Sequence, residues 1–191
     1  MRIAETRDLL SPAHQARYAA YYVQHSPQVR APRWLPLVDH YVAALGATSV
    51  LDYGCGLEGN LAQHAAYPVI NYDPGVPAWA VRPGNKADLV VCCHVLEHVE
   101  EPCLDAVLAD LLWYARKAVV LIVSCAPSTK ILPDGTPWHT CVHEVAWWEQ
   151  ILLDTITLSG IALQYDMLPS QLYQTMPTEF GCVLSKEVRY G

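Results

Sequence analysis

The sequence predicts an α/β domain with a doubly wound, mostly parallel sheet. Short runs that are apolar throughout, such as DLVVCC at 88–93 and AVVLIVS at 118–124, alternate with helical stretches after Gly46. Strands that are apolar at every position are buried on both faces, as in parallel sheets covered by helices. Because no helical pattern separates the final predicted strands, 161–167 and 180–184, we expect the last strand to be antiparallel.

The other elements follow from periodicity and from glycine and proline positions. A helix with several tyrosines is expected at 14–25, and an amphipathic helix that ends at Gly46 is expected from residue 35. The further predicted elements are strands at 49–53 and 69–72 and helices at 61–66, 102–116 and 145–153. We expect an N-terminal helical cap over 1–46 and an α/β domain over 47–191, together forming one compact unit.

Composition restricts the classes of protein that are possible. Of the 191 residues, 52% are hydrophobic and 16% charged, which excludes a disordered chain. No apolar run reaches the ~18 residues of a membrane span, and we expect no secretory signal. The net charge of -7 argues against non-specific binding to nucleic acid. Seven cysteines without a C-x-x-C pair fit a reduced, cytoplasmic protein.

The stretch SVLDYGCGLEGNL, residues 49–61, is the most informative part of the chain. A predicted strand runs into Gly54, Gly56 and Gly59, which permit a tight turn and close approach of a ligand, and a helix follows. This is formally the dinucleotide pattern G-x-G-x-x-G, with an acid, Asp73, at the end of the next strand. A nicotinamide-dependent oxidoreductase is therefore one interpretation.

The acids around this loop favour a different ligand. Asp52 precedes the first glycine and Glu58 lies within the loop, so a pyrophosphate would meet two carboxylates. Each repulsion is on the order of 3 kcal/mol at ~5 Å and an effective dielectric of ~20. S-adenosylmethionine has no phosphate, and Asp52 could help to hold its ammonium. Asp73 is placed to accept hydrogen bonds from a ribose diol.

The stretches VLDYGCGLEGNL, NYDP and ADLVVCCHVLEHVEEP resemble the first, second and fourth motifs of class I S-adenosylmethionine-dependent methyltransferases. Compact bacterial and phage-borne members with a D-Y-G-C-G loop and a Y-D-P turn are similar. The resemblance spans residues 48–186. It implies S-adenosylmethionine as cofactor, a Rossmann-like sheet of seven strands and an antiparallel last strand.

The resemblance also implies positions for the cofactor. The expected cofactor-binding residues lie in the glycine loop, at the end of the second strand and in the turn that borders the methyl-transfer cavity: Asp52, Gly54, Cys55, Gly56, Gly59, Asp73, Cys93, His94 and Leu96. One departure concerns the adenine. Only residues 73–86 lie between the strands predicted at 69–72 and 88–93. The family pattern has a helix and a third strand at this place, so at most a short strand near 80–82 is expected. The adenine site is then either more open or closed by the N-terminal helix.

Two histidine-rich stretches are candidates for catalysis. In HVLEH, His94 is a possible general base, and it shares a face with His98 if the turn is helical. The spacing is also compatible with a metal, but the resemblance implies that Glu97 and His98 brace the turn.

In WHTCVHE at 138–144, the resemblance suggests that His139 points into the acceptor cavity as a base or orienting group. A zinc set of His139, Cys141 and His143 lacks a fourth ligand, and we expect no bound metal.

The aromatic residues leave two interpretations open. Trp147 and Trp148 either pack in the core or form a platform for a flat acceptor. Likewise, the N-terminal tyrosines, Tyr18, Tyr21 and Tyr22, either pack or cover the site as a lid.

These patterns predict a methyltransferase acting on a small molecule, a sugar or a nucleotide. A non-catalytic S-adenosylmethionine-binding regulatory protein is a second alternative beside the oxidoreductase. Fold does not supply the acceptor, and the sequence does not supply the oligomeric state.

Overall fold

The computed structural model describes residues 8–24, 28–169, 173 and 176–186. The chain begins with two helices and continues with alternating strands and helices. In chain order the elements are α1 Pro12–Val23, α2 Leu35–Leu45, β1 Val50–Tyr53, α3 Asn60–His64, β2 Val69–Tyr72, β3 Ala87–Cys93, two 3₁₀ turns Leu96–His98 and Glu101–Cys103, α4 Leu104–Tyr114, β4 Ala115–Ser124, α5 Val145–Ser159, β5 Leu163–Met167 and β6 Glu179–Lys186.

The strands form one sheet in the order β2-β1-β3-β4-β6-β5. Strands β1 to β4 pair in parallel, whereas β6 is antiparallel to both β4 and β5. The predicted α/β class, the mostly parallel sheet and the antiparallel last strand are confirmed. The direction of winding reverses between β1 and β3, and the carboxyl ends of strands beside such a switch point are where open α/β sheets bind ligands.

The expectation of seven strands is wrong for the described part of the chain, which forms six. Residues 73–86 contain no strand, including the stretch near 80–82. They instead form successive turns, in which the Val76 amide bonds to the Asp73 carbonyl and the Trp79 amide bonds to the Val76 carbonyl. The segment is too short to hold a helix and a further strand, so β2 is left at the edge of the sheet.

The core lies on both faces of the sheet. On one face α4 and α5 pack against the strands, with the fully buried Trp148 between them and the strands, and the partly buried Trp147 at the margin. On the other face Leu37 and Val38 of α2 pack against Leu89 of β3. Every residue of β3 is buried, as its continuous apolar pattern predicts.

Helix α1 is anchored to the loops at the carboxyl edge of the sheet. Ser11 caps its first turn by accepting from the His14 amide, and the Ser11 hydroxyl donates to Glu100. His14 is fully buried, with Nε2 2.8 Å from the His98 carbonyl. The predicted helix 14–25 ends at Val23, and His25 lies outside the described residues. The division of the chain after residue 46 stays a prediction.

Helix α2 ends where the sequence indicates, since Gly46 adopts the left-handed conformation with φ 53° that terminates many helices. Among the described residues, no helix has the length and apolar character needed to cross a bilayer.

Candidate functional site

A cavity of about 370 Å³ opens at the carboxyl ends of β1, β2 and β3, where the winding of the sheet reverses. Its volume is within the usual range for small-molecule sites, roughly 300–1,000 Å³. The lining contains most of the residues that the sequence assigns to the cofactor: Asp52, Gly54, Cys55, Gly56, Asp73, Cys93 and His94. Two others lie outside the lining. Gly59 precedes the first turn of α3, and Leu96 is fully buried in the core.

The glycine loop is fixed by the end of the neighbouring strand. The Gly54 amide donates to the Tyr72 carbonyl at 2.7 Å, and the Gly56 amide donates to Asp73 Oδ2 at 3.0 Å. Gly54 has a φ of 78°, and a Cβ at this position would lie 2.4 Å from Cγ2 of Val95. Glycine is therefore required both for the backbone conformation and for the close approach of the turn after β3.

Two carboxyl groups give the cavity a negative character. Asp52 is 4% exposed and lines the cavity, and its side chain makes no hydrogen bond or ion pair with the described residues. Burial, with a further contribution from Asp73, raises the pKa of Asp52 to about 7. The Asp73 carboxylate accepts from the amides of Gly56 and Gly75, which partly offset the increase in its pKa caused by burial. A cationic ligand group would be favoured here and a phosphate disfavoured.

Glu58 acts on the cavity less directly than the sequence suggests, since the pKa of the lining residue Tyr22 is raised first by burial and then by the charges of Asp73 and Glu58. Its side chain accepts from the Gln28 amide at 3.0 Å, and it is not among the cavity-lining residues. The expected pair of Asp52 and Glu58 is therefore replaced by the pair of Asp52 and Asp73. The position of Glu58 in the loop does not determine the direction of its side chain, which points to the Gln28 amide.

Arg30 is the one arginine among the described cavity-lining residues, and its guanidinium donates to the side chain of Gln28 at 2.8 Å. Its amide donates to the side chain of Asn60 at 2.9 Å, which holds the segment after α1 against the start of α3. Two further arginines pair elsewhere, Arg33 with Glu179 and Arg82 with Asp110.

His94 lies at the end of β3 in a left-handed conformation with φ 59°. Its Nδ1 is 3.4 Å from Glu97 Oε1, and its Nε2 is 3.8 Å from Glu179 Oε1. His94 and His98 would share a helix face only if the turn between them were helical, and this condition is not met, because the helical turn covers only Leu96–His98 and is of the 3₁₀ type.

His98 also lines the cavity, although its role was expected to be structural. Its Nδ1 lies 2.8 Å from the Trp138 carbonyl, which belongs to the loop after β4. Burial lowers the pKa of His98 to about 4, against the opposing effect of the Glu97 carboxylate. The ring is therefore neutral at physiological pH.

The stretch WHTCVHE divides between two places. The amides of Thr140 and Cys141 donate to the Glu97 carbonyl, so this loop lies along the turn after β3. His139 is not among the cavity-lining residues, and its ring packs edge-on against His98 with centroids 4.9 Å apart. Cys141 and His143 instead meet Glu101. The three residues considered as a zinc set do not converge, because the segment bends where it contacts the turn.

Helix α1 covers the cavity. Tyr18 and Tyr22 line it, and the Tyr18 hydroxyl donates to the Trp138 carbonyl at 3.2 Å. Tyr21 packs on the Trp138 ring with centroids 4.2 Å apart. The amide of the Gln15 side chain donates to the Pro74 carbonyl, beside Asp73. The side of the cavity left short by residues 73–86 is thus closed by the N-terminal helix.

No protein-family model and no curated protein matches the chain at a significant level. Solved structures do. The methyltransferase domain of bacterial CtHen1-C is similar with a TM-score of 0.57 at 13% identity, over 82% of this chain and 98% of that one. The 1,6-didemethyltoxoflavin-N1-methyltransferase of Burkholderia thailandensis, with bound 1,6-didemethyltoxoflavin and S-adenosylhomocysteine, has a TM-score of 0.54 at 15% identity, over 98% of both chains.

A putative O-methyltransferase from Nostoc punctiforme is also similar, with a TM-score of 0.49 at 20% identity over 80% of this chain, which spans 55% of the length of that one. The order of the strands, the site at their carboxyl ends and the two neighbours with TM-scores above 0.5 identify the fold. The chain has the Rossmann-like fold of class I S-adenosylmethionine-dependent methyltransferases.

Proposed function

We propose that this protein is a methyltransferase that binds S-adenosylmethionine in the cavity beneath α1. The observation that carries the proposal is the Asp52 carboxyl, which is 4% exposed, lines the cavity and has no partner among the described side chains. A buried carboxylate without a partner is unfavourable, and a ligand ammonium would supply the missing charge. The methionine end of S-adenosylmethionine carries such an ammonium.

The other groups of the cavity suit the rest of that cofactor. Asp73 keeps carboxylate lone pairs beyond the two amide bonds that it accepts, and a ribose diol can donate to them. Arg30 offers a guanidinium to the methionine carboxylate, which matters because the amides of Gly54, Cys55 and Gly56 are already bonded within the protein. The tyrosines of α1 offer flat apolar surfaces for the adenine.

The acceptor would enter from the side of His94, Val95 and Trp138, where the remainder of the cavity lies. In the reaction, an acceptor lone pair forms a bond to the methyl carbon while the bond from that carbon to the positively charged sulfur breaks. Neutral S-adenosylhomocysteine leaves. An acceptor hydroxyl or amine also loses a proton, and His94 is the proposed base, since its ring lines the cavity and Glu97 and Glu179 lie near its nitrogens.

His139 is proposed to orient the acceptor only through His98, because its own side chain does not line the cavity. The acceptor class is a small molecule, a sugar or a nucleotide. The nicotinamide alternative is disfavoured by the two carboxyl groups of Asp52 and Asp73, which would face a pyrophosphate. The non-catalytic alternative differs from the proposal only in turnover.

The proposal is tested by calorimetry with S-adenosylhomocysteine, S-adenosylmethionine and NAD⁺. We expect micromolar binding of the first two and none of NAD⁺. Asp52→Asn should remove most of the affinity, whereas Glu58→Gln, in the same loop but bonded to the Gln28 amide, should leave it within a few-fold of wild type.

Formation of S-adenosylhomocysteine with a panel of hydroxyl, amine and nucleotide acceptors then tests turnover. Binding of NAD⁺ alone would support the oxidoreductase, and cofactor binding without turnover on any acceptor would support the regulatory protein.

A further inference from the structure

Three side chains from two separate loops meet beside the cavity, and no one stretch of the sequence contains all three. Glu97 and His98 belong to the turn after β3, and His139 belongs to the loop after β4. One potential ligand atom from each lies within 4.8 Å of those of the other two. We propose that Glu97, His98 and His139 bind a divalent transition-metal ion.

The hydrogen bonds of the two histidines orient both rings as metal ligands. Nδ1 of His98 is 2.8 Å from the Trp138 carbonyl, and Nδ1 of His139 is 2.7 Å from the Ala126 carbonyl. A carbonyl only accepts, so each Nδ1 carries a hydrogen, and Nε2 is the ring nitrogen left to coordinate a metal ion. Histidines that ligate metals are commonly held by a bond from the other ring nitrogen to a backbone carbonyl.

The carboxylate of Glu97 supplies an independent observation. Its side chain is 1% exposed, and neither oxygen accepts a hydrogen bond from any described residue. The nearest cationic candidate is His94, whose Nδ1 stands 3.4 Å from Oε1, and neither lysine nor arginine pairs with this group among the described residues. A buried carboxylate without hydrogen bonds is costly, and coordination of a cation would satisfy both its charge and its lone pairs.

The donor set indicates which ions fit. Two imidazoles and one carboxylate suit Zn²⁺, Mn²⁺, Fe²⁺ or Co²⁺ better than Ca²⁺ or Mg²⁺, which prefer oxygen ligands. Three protein ligands leave at least one position for water or another molecule, as in catalytic metal sites. Because His98 lines the cavity, that position would be close to the methyl acceptor.

The role of the ion rests on the proposed function, although its binding does not. If methyl transfer occurs in the cavity, the ion can hold an acceptor oxygen and lower the pKa of its hydroxyl. The hydroxyl proton then passes to solvent or to His94, and the oxygen forms its bond to the methyl carbon as the carbon–sulfur bond breaks.

A second cluster serves as an internal control. Glu101, Cys141 and His143 also bring ligand atoms within 4.8 Å of one another. Its members are less suited to a metal, because the Glu101 side chain is 63% exposed and burial raises the pKa of the Cys141 thiol to about 12, which disfavours the thiolate. A metal bound there would have a sulfur ligand, which the first site lacks.

The test is a titration of the chelator-treated full chain with Co²⁺, followed by absorption and calorimetry, and repeated with Mn²⁺, Zn²⁺ and Mg²⁺. We expect about one Co²⁺ per chain, with visible bands of a nitrogen and oxygen site and no thiolate charge-transfer band. Glu97→Gln and His139→Ala should each weaken binding by at least about tenfold. His143→Ala, which removes a ligand of the second cluster, should change it little.

Circular dichroism and thermal unfolding of every variant establish whether the chain is folded. If Glu97→Gln does not fold, His139→Ala still tests the metal site. The proposal is overturned if the folded wild-type protein binds no cobalt up to millimolar concentration. It is also overturned if binding survives His139→Ala but is lost in His143→Ala. Calorimetry with S-adenosylhomocysteine is run separately, so a failure of cofactor binding and a failure of metal binding are distinct results.

Discussion

At the scale of single residues, Asp52 shows how burial prepares a group for a ligand. The rise of its pKa from 3.8 to about 7 corresponds to a cost of about 4 kcal/mol for the ionised carboxyl in the folded protein. That cost is absent below the unfolded pKa and complete above pH 7, so the folded protein without ligand loses stability from Asp52 between these values. A bound ammonium would remove much of the cost.

The affinity for S-adenosylhomocysteine should therefore depend on pH. Below pH 7 the free protein holds a proton on Asp52 that binding must release, so the dissociation constant should rise as pH falls, approaching about tenfold per pH unit. Calorimetry in two buffers of different ionisation enthalpy, between about pH 5.5 and 8, measures both the affinity and the proton released.

Asp52→Asn is the control for this dependence. It should abolish the pH effect along with most of the affinity, and it should raise the free energy of unfolding of the ligand-free protein at pH 8. An affinity of the wild type that does not change over this pH range would contradict the assignment.

At the scale of elements, the turn between β1 and α3 depends on the turn that follows β3. Gly54 and Val95 lie in different loops, yet a Cβ on the first would lie 2.4 Å from the second. The two loops therefore fix each other, and both border the cavity. The exact shape of the glycine loop is a property of this packing as well as of its sequence.

Gly54→Ala should reduce the free energy of unfolding by about 2–4 kcal/mol, because it adds a side chain at a positive φ and a clash in a packed turn. Urea unfolding measures the loss, and calorimetry with S-adenosylhomocysteine should show a loss of binding. Gly84→Ala is the matched control, since nothing lies within 4 Å of a Cβ at that position.

Adding Val95→Ala to Gly54→Ala should restore part of the stability, because it relieves the clash but not the backbone strain. Equal effects of Gly54→Ala and Gly84→Ala would show that the described packing of the loop is wrong.

At the scale of the whole molecule, α1 connects the loops that follow three strands. It bonds to Pro74 after β2, to His98 and Glu100 after β3, and to Trp138 after β4. Binding of a ligand between these loops and α1 would draw on all of these contacts at once. The helix is therefore the part of the fold most directly linked to occupancy of the cavity.

Hydrogen exchange followed by mass spectrometry should show this link. Saturation with S-adenosylhomocysteine should slow the exchange of the α1 amides, whereas α5, which contributes no residue to the cavity lining, should exchange as before. Unchanged exchange in α1 with a clear change elsewhere would show that α1 does not cover the bound cofactor.

The Arg17→Ala variant tests whether an exposed ion pair of α1 contributes to the protection of this helix by ligand. Arg17 pairs with Asp134 at 2.7 Å on the exposed side of α1, and ion pairs this exposed to solvent contribute little to stability. Ligand protection of α1 should therefore survive this substitution.

Much of the fold was determined by the sequence alone. The order of strands and helices, the glycine loop with Asp52, and the placement of Asp73 at the end of β2 were all predicted, because they depend on residues close together in the chain. Apolar runs, turn residues and glycines act on their own backbone and near neighbours. The fold class followed from the alternation of these elements.

Only the tertiary structure decided which distant side chains meet. It placed Arg30 in the cavity lining, turned Glu58 away to Gln28, and brought His98 against the loop of His139. His98 and Trp138 are 40 positions apart, and nothing in either histidine-rich stretch indicates the other. They meet because parallel strands end at one edge of the sheet, where the loops pack on each other through long-range hydrogen bonds that no local pattern records.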